Sequence, residues 1–193
     1  MMQISEKQRT IRLTIIAGAR PNFMKIAPII HAIEKFNGNE KRIEYRLIHT
    51  GQHYDKNMSE TFFEELNIPM PDINLGVGGG TQAEQTAGIM IAFEKELTEH
   101  SADLVIVVGD VTSTMACSIV AKKLNTKVAH IEAGIRSWDL TMPEEINRMI
   151  TDCLTDYYFT TTELAGQNLR NAGAEDKQIF FVGNVMIDTL LAN

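Results

Sequence analysis

The chain has 193 residues, 44% of them hydrophobic, and a formal net charge of −7; that length supports one buried core, with at most a small appendage. The negative balance and the lack of any Lys/Arg-rich run exclude a broad nucleic-acid or anionic-membrane surface, because both need a positive footprint. The stretch MMQISEKQRT holds no apolar signal region and no apolar run reaches membrane-spanning length, so the sequence reads as a cytoplasmic protein.

After a polar leader over residues 1–10, Ile11 to Ala17 reads as a buried strand, followed by the turn Gly18-Ala19-Arg20-Pro21 and a helix from Asn22 to Phe36. Pro21 suits the first helical turn, where its missing N–H costs nothing. Ile43 to His49 is the second strand and Gly51-Gln52-His53-Tyr54-Asp55 the loop beyond it. Lys56 to Leu66 has helical spacing and is broken by Pro69-Met70-Pro71. The Gly-rich Leu75 to Gly80 follows no clear strand and lacks the G-K-[ST] ending of a phosphate loop, so it reads as a flexible linker before a helix from Thr81 to Glu99.

Leu104 to Val108 and Lys127 to Ile131 are β-branched strands flanking a helix from Thr112 to Leu124, which makes one βαβ unit. Beyond it, Pro143 opens a helix, Thr155 to Thr160 is a strand, Glu163 to Asn171 a helix stopped by Gly173, and Ile179 to Val182 a last strand. From Val185 an apolar helix begins with no stop signal after it, so the chain reads as one domain over 1–193 whose final residues, 185–193, lead toward a further part. Strand and helix alternate without hairpin turns, which predicts an α/β fold: a Rossmann-like parallel sheet with helices on both faces.

The chemistry concentrates at strand ends. The first strand-to-helix turn, GARPNFMK, is not G-x-G-x-x-G, so no nicotinamide cofactor is read; Arg20 and Lys25 at a helix N-terminus suit a diphosphate instead. Right-handed crossovers carry sites beyond the carboxyl ends of strands, so Asp110 and Glu132 should face one crevice. His130 and Glu132, two apart on a strand, share a face and read as a hydrogen-bonded pair. In PEEINR, Glu144 and Arg148 are i,i+4 neighbours, and Arg136 follows Glu132 by four. Acids interleaved with arginines, around the lone Trp138, point to a site that handles both protons and anionic groups.

Other motifs lead nowhere. His49, His53 and His130 raise the question of a metal, and His130-Ile131-Glu132 has the H-x-E spacing of zinc deaminases, but no P-C-x-x-C accompanies it and no metal site is read. Cys117 and Cys153 fall in helical patterns and read as buried thiols in a reducing compartment. No His/Asp arrangement around Cys117 or Ser118 marks a covalent nucleophile.

The segments GARPNFMKIAPII, HTGQHYDKNMS, VVGDVTST, AHIEAGIRS, MPEEINR and FVGNVMIDTLL, in this order, resemble the UDP-N-acetylglucosamine 2-epimerase family of the non-hydrolysing type. The resemblance runs from near the N-terminus to the last residue, and it implies the first half of a GT-B-type enzyme whose two Rossmann-like domains hold the nucleotide sugar between them. It further implies that Asp110, Glu132 and Glu144 are the acid/base carboxylates, that Arg20 and Lys25 serve the UDP side, and that Arg148 supports the site. The implied reaction inverts C2 of UDP-GlcNAc to give UDP-ManNAc through anti elimination of UDP and its re-addition, with no cofactor, in a homodimer that supplies cell-surface polysaccharide precursors. Gln52 and His53 match a loop that holds a second, allosteric UDP-GlcNAc in regulated members, although Asp55 stands where some of those have Gln. The linker between Arg136 and Glu144 is shorter than in some enterobacterial relatives. In the family the second half supplies a catalytic histidine and most uridine contacts, so an isolated first domain is expected to turn over poorly. Three alternatives stand beside this reading: a hydrolysing epimerase that releases ManNAc and UDP, a non-catalytic UDP-sugar-binding or dimerisation module, and a GT-B glycosyltransferase. The last would not carry Glu132 and Glu144 in these motifs.

Overall fold

A strand whose last five residues are all buried belongs inside a sheet covered on both faces, and Ile11–Ala17 (β1) is such a strand. In the computed structural model, which describes residues 9–38, 40, 42–51 and 63–192, β1 is followed by α1 (Arg20–Asn37), β2 (Ile43–His49), β3 (Ile73–Asn74) and α2 (Gln82–Glu99). Next come β4 (Leu104–Val108), α3 (Thr112–Lys123), β5 (Lys127–Ile131) and α4 (Pro143–Leu154). The chain continues through β6 (Tyr157–Thr160), α5 (Glu163–Asn171), a short 3₁₀ turn (Asp176–Gln178), β7 (Ile179–Phe181) and α6 (Val185–Ala192).

All seven strands are parallel, in the order β3-β2-β1-β4-β5-β6-β7. Strand alternation splits the core into two layers. Leu13, Ile15 and Ala17 pack with Phe23, Ile26 and Ile30 of α1 on one face. Ile16, Val105, Val107 and Val128 pack with Phe93 of α2 and with Cys117, Val120 and Ala121 of α3 on the other. The last helix returns across the first, where Thr189 Oγ1 donates to the Met24 carbonyl at 2.5 Å. Among the described residues no helix is long and apolar enough to cross a membrane.

The structure differs from the sequence reading at several places, among them the start of α1 at Arg20 where Asn22 was expected. β3 was not foreseen, because two residues show no period. The Gly-rich segment therefore does follow a strand, and it is tied down: Leu75 N–H donates to His49 O at 2.8 Å and Val77 N–H to Thr50 O at 2.9 Å. It then enters α2 through a capping box in which Thr81 and Glu84 exchange hydrogen bonds. β6 starts at Tyr157, since Thr155 is spent as the cap of α4. Cys117 is buried and its thiol is pushed up by that burial, whereas Cys153 is exposed on α4, so only one of the two expected buried thiols is so. Most of the predicted 56–66 helix, together with Gln52 and His53, lies outside the described residues; 63–65 are helical.

Candidate active site

In the order 3-2-1-4, chain direction across the sheet reverses between β1 and β4, and the crevice beyond their carboxyl ends is where open α/β sheets bind ligands. Gly18 begins the loop there. A Cβ on it would lie well under 3.0 Å from Ser113 Oγ at the start of α3, so the close approach needs glycine. Asn22 is buried and closes the turn: its Oδ1 accepts from the N–H groups of Gly18 (3.1 Å) and Ala19 (2.9 Å).

One helical turn on, Lys25 Nζ lies 2.5 Å from Glu132 Oε2, an ion pair whose side chains are only 15% and 11% exposed. It joins α1 to the end of β5 across the end of β4. That reach passes Gly109, where a Cβ would sit 3.3 Å from Lys25 Nζ and 3.7 Å from Glu132 Oε2. Glu132 itself adopts φ +69°, a conformation costly for a residue with a Cβ. The N–H groups of Glu132 and Ala133 both donate to Phe159 O, at 3.0 and 3.1 Å, and hold it there.

Asp110 follows Gly109. Its carboxylate accepts from Arg148 Nη2, and its backbone carbonyl accepts from Asn147 Nδ2 at 2.8 Å. Arg148 in turn donates through Nη1 to Glu145 Oε2 at 2.9 Å. Glu145 is fully buried and also accepts from the N–H groups of Ser137 (3.0 Å) and Trp138 (3.1 Å). Burial alone would raise its carboxyl, but these two N–H groups and the Arg148 guanidinium outweigh burial and hold it below its ordinary value.

Below the crevice a third cluster closes the structure. His130, with no exposure, sets Nδ1 2.7 Å from Asp152 Oδ1 and Nε2 2.8 Å from Gly109 O. The other Asp152 oxygen meets Arg136 Nη1 at 2.6 Å and the Gly134 N–H at 3.1 Å. Burial pushes Asp152 upward, yet His130 and Arg136 more than compensate, and its carboxyl sits below its usual range.

Three sequence-level pairings are thereby corrected. Glu132 bonds to Lys25 and not to His130, because the left-handed turn at Glu132 ends the strand alternation. Arg148 pairs with Glu145 and not with Glu144: α4 turns 145, 148 and 152 inward, while Glu144 is exposed at its first turn. Arg136 pairs with Asp152 and not with Glu132. Arg20 is exposed as the first residue of α1.

A family model described as UDP-N-acetylglucosamine 2-epimerase matches residues 35–193. The chain belongs to the UDP-N-acetylglucosamine 2-epimerase family. The UDP-N-acetylglucosamine 2-epimerase of Methanocaldococcus jannaschii is 48% identical over 183 residues, which are 95% of this chain and 49% of that protein. The UDP-2,3-diacetamido-2,3-dideoxy-D-glucuronate 2-epimerase of Pseudomonas aeruginosa is 42% identical, over 94% of this chain and 51% of its own length. The crystal structure of the Methanocaldococcus jannaschii enzyme in complex with UDP-GlcNAc and UDP superposes with a TM-score of 0.89, over 95% of this chain and 49% of that one. The chain thus spans about half the length of the curated relatives it matches.

In this epimerase-family chain, sequence reasoning missed the residues that fix the charged groups, Glu145 and Asp152, and those that fix the turns beside them, Asn22 and Asn147. Glu145, Arg148 and Asp152 do recur at three and four on one helix face, the one signal that pointed inward.

Proposed function

We propose that this chain is the N-terminal Rossmann-like domain of an enzyme that interconverts UDP-N-acetylglucosamine and UDP-N-acetylmannosamine at C2. One observation carries the reading. Two carboxylates, Asp110 and Glu132, leave neighbouring central strands on either side of Gly109, and each is matched by a cation from a helix, Arg148 and Lys25. Such pairing orients a carboxylate in a half-buried site, as a general base requires.

In the proposed reaction one carboxylate takes the C2 proton, the C2–H electron pair forms the C1=C2 double bond, and UDP departs with the C1–O pair. Re-addition of UDP with protonation from the opposite face of C2 gives the epimer. A second acid must therefore face the ring, and Glu144, exposed at the first turn of α4, is proposed for that part together with Asp110 and Glu132. Arg20 and Lys25, at the start of α1, are proposed to meet the diphosphate, where the helix dipole and a cation act together. A second domain, a homodimer, a cytoplasmic setting and a product used for cell-surface polysaccharide complete the reading. Exposed Phe181, Leu190 and Leu191 near one end and Ile91, Trp138 and Ile146 elsewhere are apolar surface consistent with such partners.

The test is turnover of UDP-GlcNAc in deuterated water by the whole protein that carries this chain. UDP-ManNAc bearing deuterium at C2 is the expected product. Free ManNAc with UDP would select the hydrolysing alternative, and no exchange at C2 would end the reading. Running UDP-2,3-diacetamido-2,3-dideoxy-glucuronate alongside separates the two substrate classes named among the relatives.

A further inference from the structure

We propose that His130 is a positioning residue held as a buried imidazolium, a fixed positive charge that sets the Gly109–Asp110 peptide and thereby the carboxylates at the rim. The role in positioning rests on the epimerase reading; the charge does not.

The ring has no exposure and two neighbours, and both are acceptors: Asp152 Oδ1 at 2.7 Å from Nδ1 and the Gly109 carbonyl at 2.8 Å from Nε2. A carbonyl cannot donate. Asp152 serves as an acceptor too, because the Arg136 guanidinium and the Gly134 N–H on its second oxygen favour the carboxylate, which carries no proton to give. A neutral imidazole has one N–H and one lone pair, so either tautomer would press a lone pair against an oxygen at a fully buried ring. Only the doubly protonated ring satisfies both contacts.

Charge balance leads to the same state. The site holds four buried or half-buried carboxylates, Asp110, Glu132, Glu145 and Asp152, and three cations from lysine and arginine, Lys25, Arg136 and Arg148. A charged His130 makes the fourth cation, so that the cluster as a whole carries as many positive as negative charges. The remaining ionisable neighbours do not compete. Tyr158, paired with His130 in the sheet register, donates its hydroxyl to the Asp152 backbone carbonyl, and burial pushes it up to about 12; the Cys117 thiol in the same layer is pushed up by burial as well.

The mechanical consequence follows from peptide geometry. With the Gly109 carbonyl drawn down onto Nε2, the Asp110 N–H of the same trans peptide points the opposite way, toward the rim. Asn147 holds the next carbonyl and Arg148 the side chain, so Asp110 is fixed from three directions. His130 also anchors β5 two residues before Glu132 makes its left-handed turn.

The first measurement needs no variant: a long-range ¹H–¹⁵N spectrum of histidine rings in the labelled chain at about pH 7, near the ordinary imidazole range. Both His130 nitrogens should show protonated shifts, with a coupling across the hydrogen bond from Nε2 to the Gly109 carbonyl carbon. A lone-pair nitrogen on His130 would overturn the charge assignment. The second is His130→Gln in the whole protein, which keeps a donor in place but carries no charge. C2 exchange on UDP-GlcNAc should fall about 100-fold in kcat with KM within about twofold, the pattern of misplaced rather than missing catalytic groups. Unchanged kcat would overturn the positioning role, whereas absence of exchange in the unaltered protein would count against the epimerase reading alone, since the spectrum is read separately.

Discussion

The two rims of the sheet differ in how they handle backbone strain and, apart from the Arg46–Glu96 pair, charge. At the amino ends, Asp103 accepts from the Arg12 N–H at 2.9 Å and pairs with Arg9, whose side chain is 78% exposed. Left-handed backbone on that side falls on Gly38 and Asn125, helix-ending residues of the types that tolerate it. At the carboxyl ends the Lys25–Glu132 pair is nearly closed to solvent, and beside several left-handed glycines two left-handed residues carry a Cβ, Glu132 and Trp138, types for which such φ values cost about 1–3 kcal/mol each. Both are held from their own N–H groups, Glu132 by Phe159 O and Trp138 by Glu145. Stability would be served by avoiding such residues at both rims; their place at the carboxyl rim accords with the chemistry proposed there.

The comparison breaks most decisively at Lys25. Lys25→Met leaves Glu132 buried without a partner and should lower the unfolding free energy by about 3–5 kcal/mol in urea denaturation. Most of that loss should return in the double variant with Glu132→Gln; a single-variant loss below about 1 kcal/mol would mean the carboxyl rim is no more enclosed than the amino rim.

Next in size is Gly134→Ala, about 3 kcal/mol, because the added Cβ lies well under 3.0 Å from Ala165 O at a left-handed φ of +80°. Gly173→Ala, at φ +97° with nothing within 4 Å, should cost only about 1 kcal/mol. Thermal melts showing equal losses would remove the distinction between crowded and merely strained turns.

A smaller effect appears with pH. Glu145 and Asp152 are held below their ordinary values of 4.5 and 3.8, so each binds its proton less readily folded than unfolded. Their stabilisation is present in full above those ordinary values and is lost as pH falls through the lower, folded ones. Wild type and Asp152→Asn should therefore differ most near neutrality and converge in acid. Stability curves that stay parallel down the acid limb would contradict the assignment. The smallest effect is expected at the other rim, where Arg9→Met should change stability by less than about 1 kcal/mol and lose even that in high salt.

Much of this was legible in the residues. β1, β2, β4, β5 and α5 fall where apolar runs and stop signals put them, because buried parallel strands must be continuously apolar and helices must end at Gly or a cap. The placing of Asp110 and Glu132 at the ends of neighbouring strands was foreseeable from parallel topology, since every β-to-α turn returns to the same rim, whereas the Lys25–Glu132 pair was not. The pairings were not foreseeable. Whether Arg148 meets Glu144 or Glu145 depends on how α4 is rotated against the loop over 132–138, and helical spacing alone permits both. The break at Glu132 likewise has no local signature, because its left-handed φ is imposed by Lys25 on another helix and Phe159 on another strand.

What the sequence determined by itself was the repeating, short-range part: strand and helix periods, the parallel α/β class, the absence of a dinucleotide glycine fingerprint, and the family. The tertiary structure decided which charges touch, which glutamate is buried and which histidine nitrogen faces which oxygen. Those contacts join residues up to 107 positions apart, and their energies arise only when packing removes water from around them.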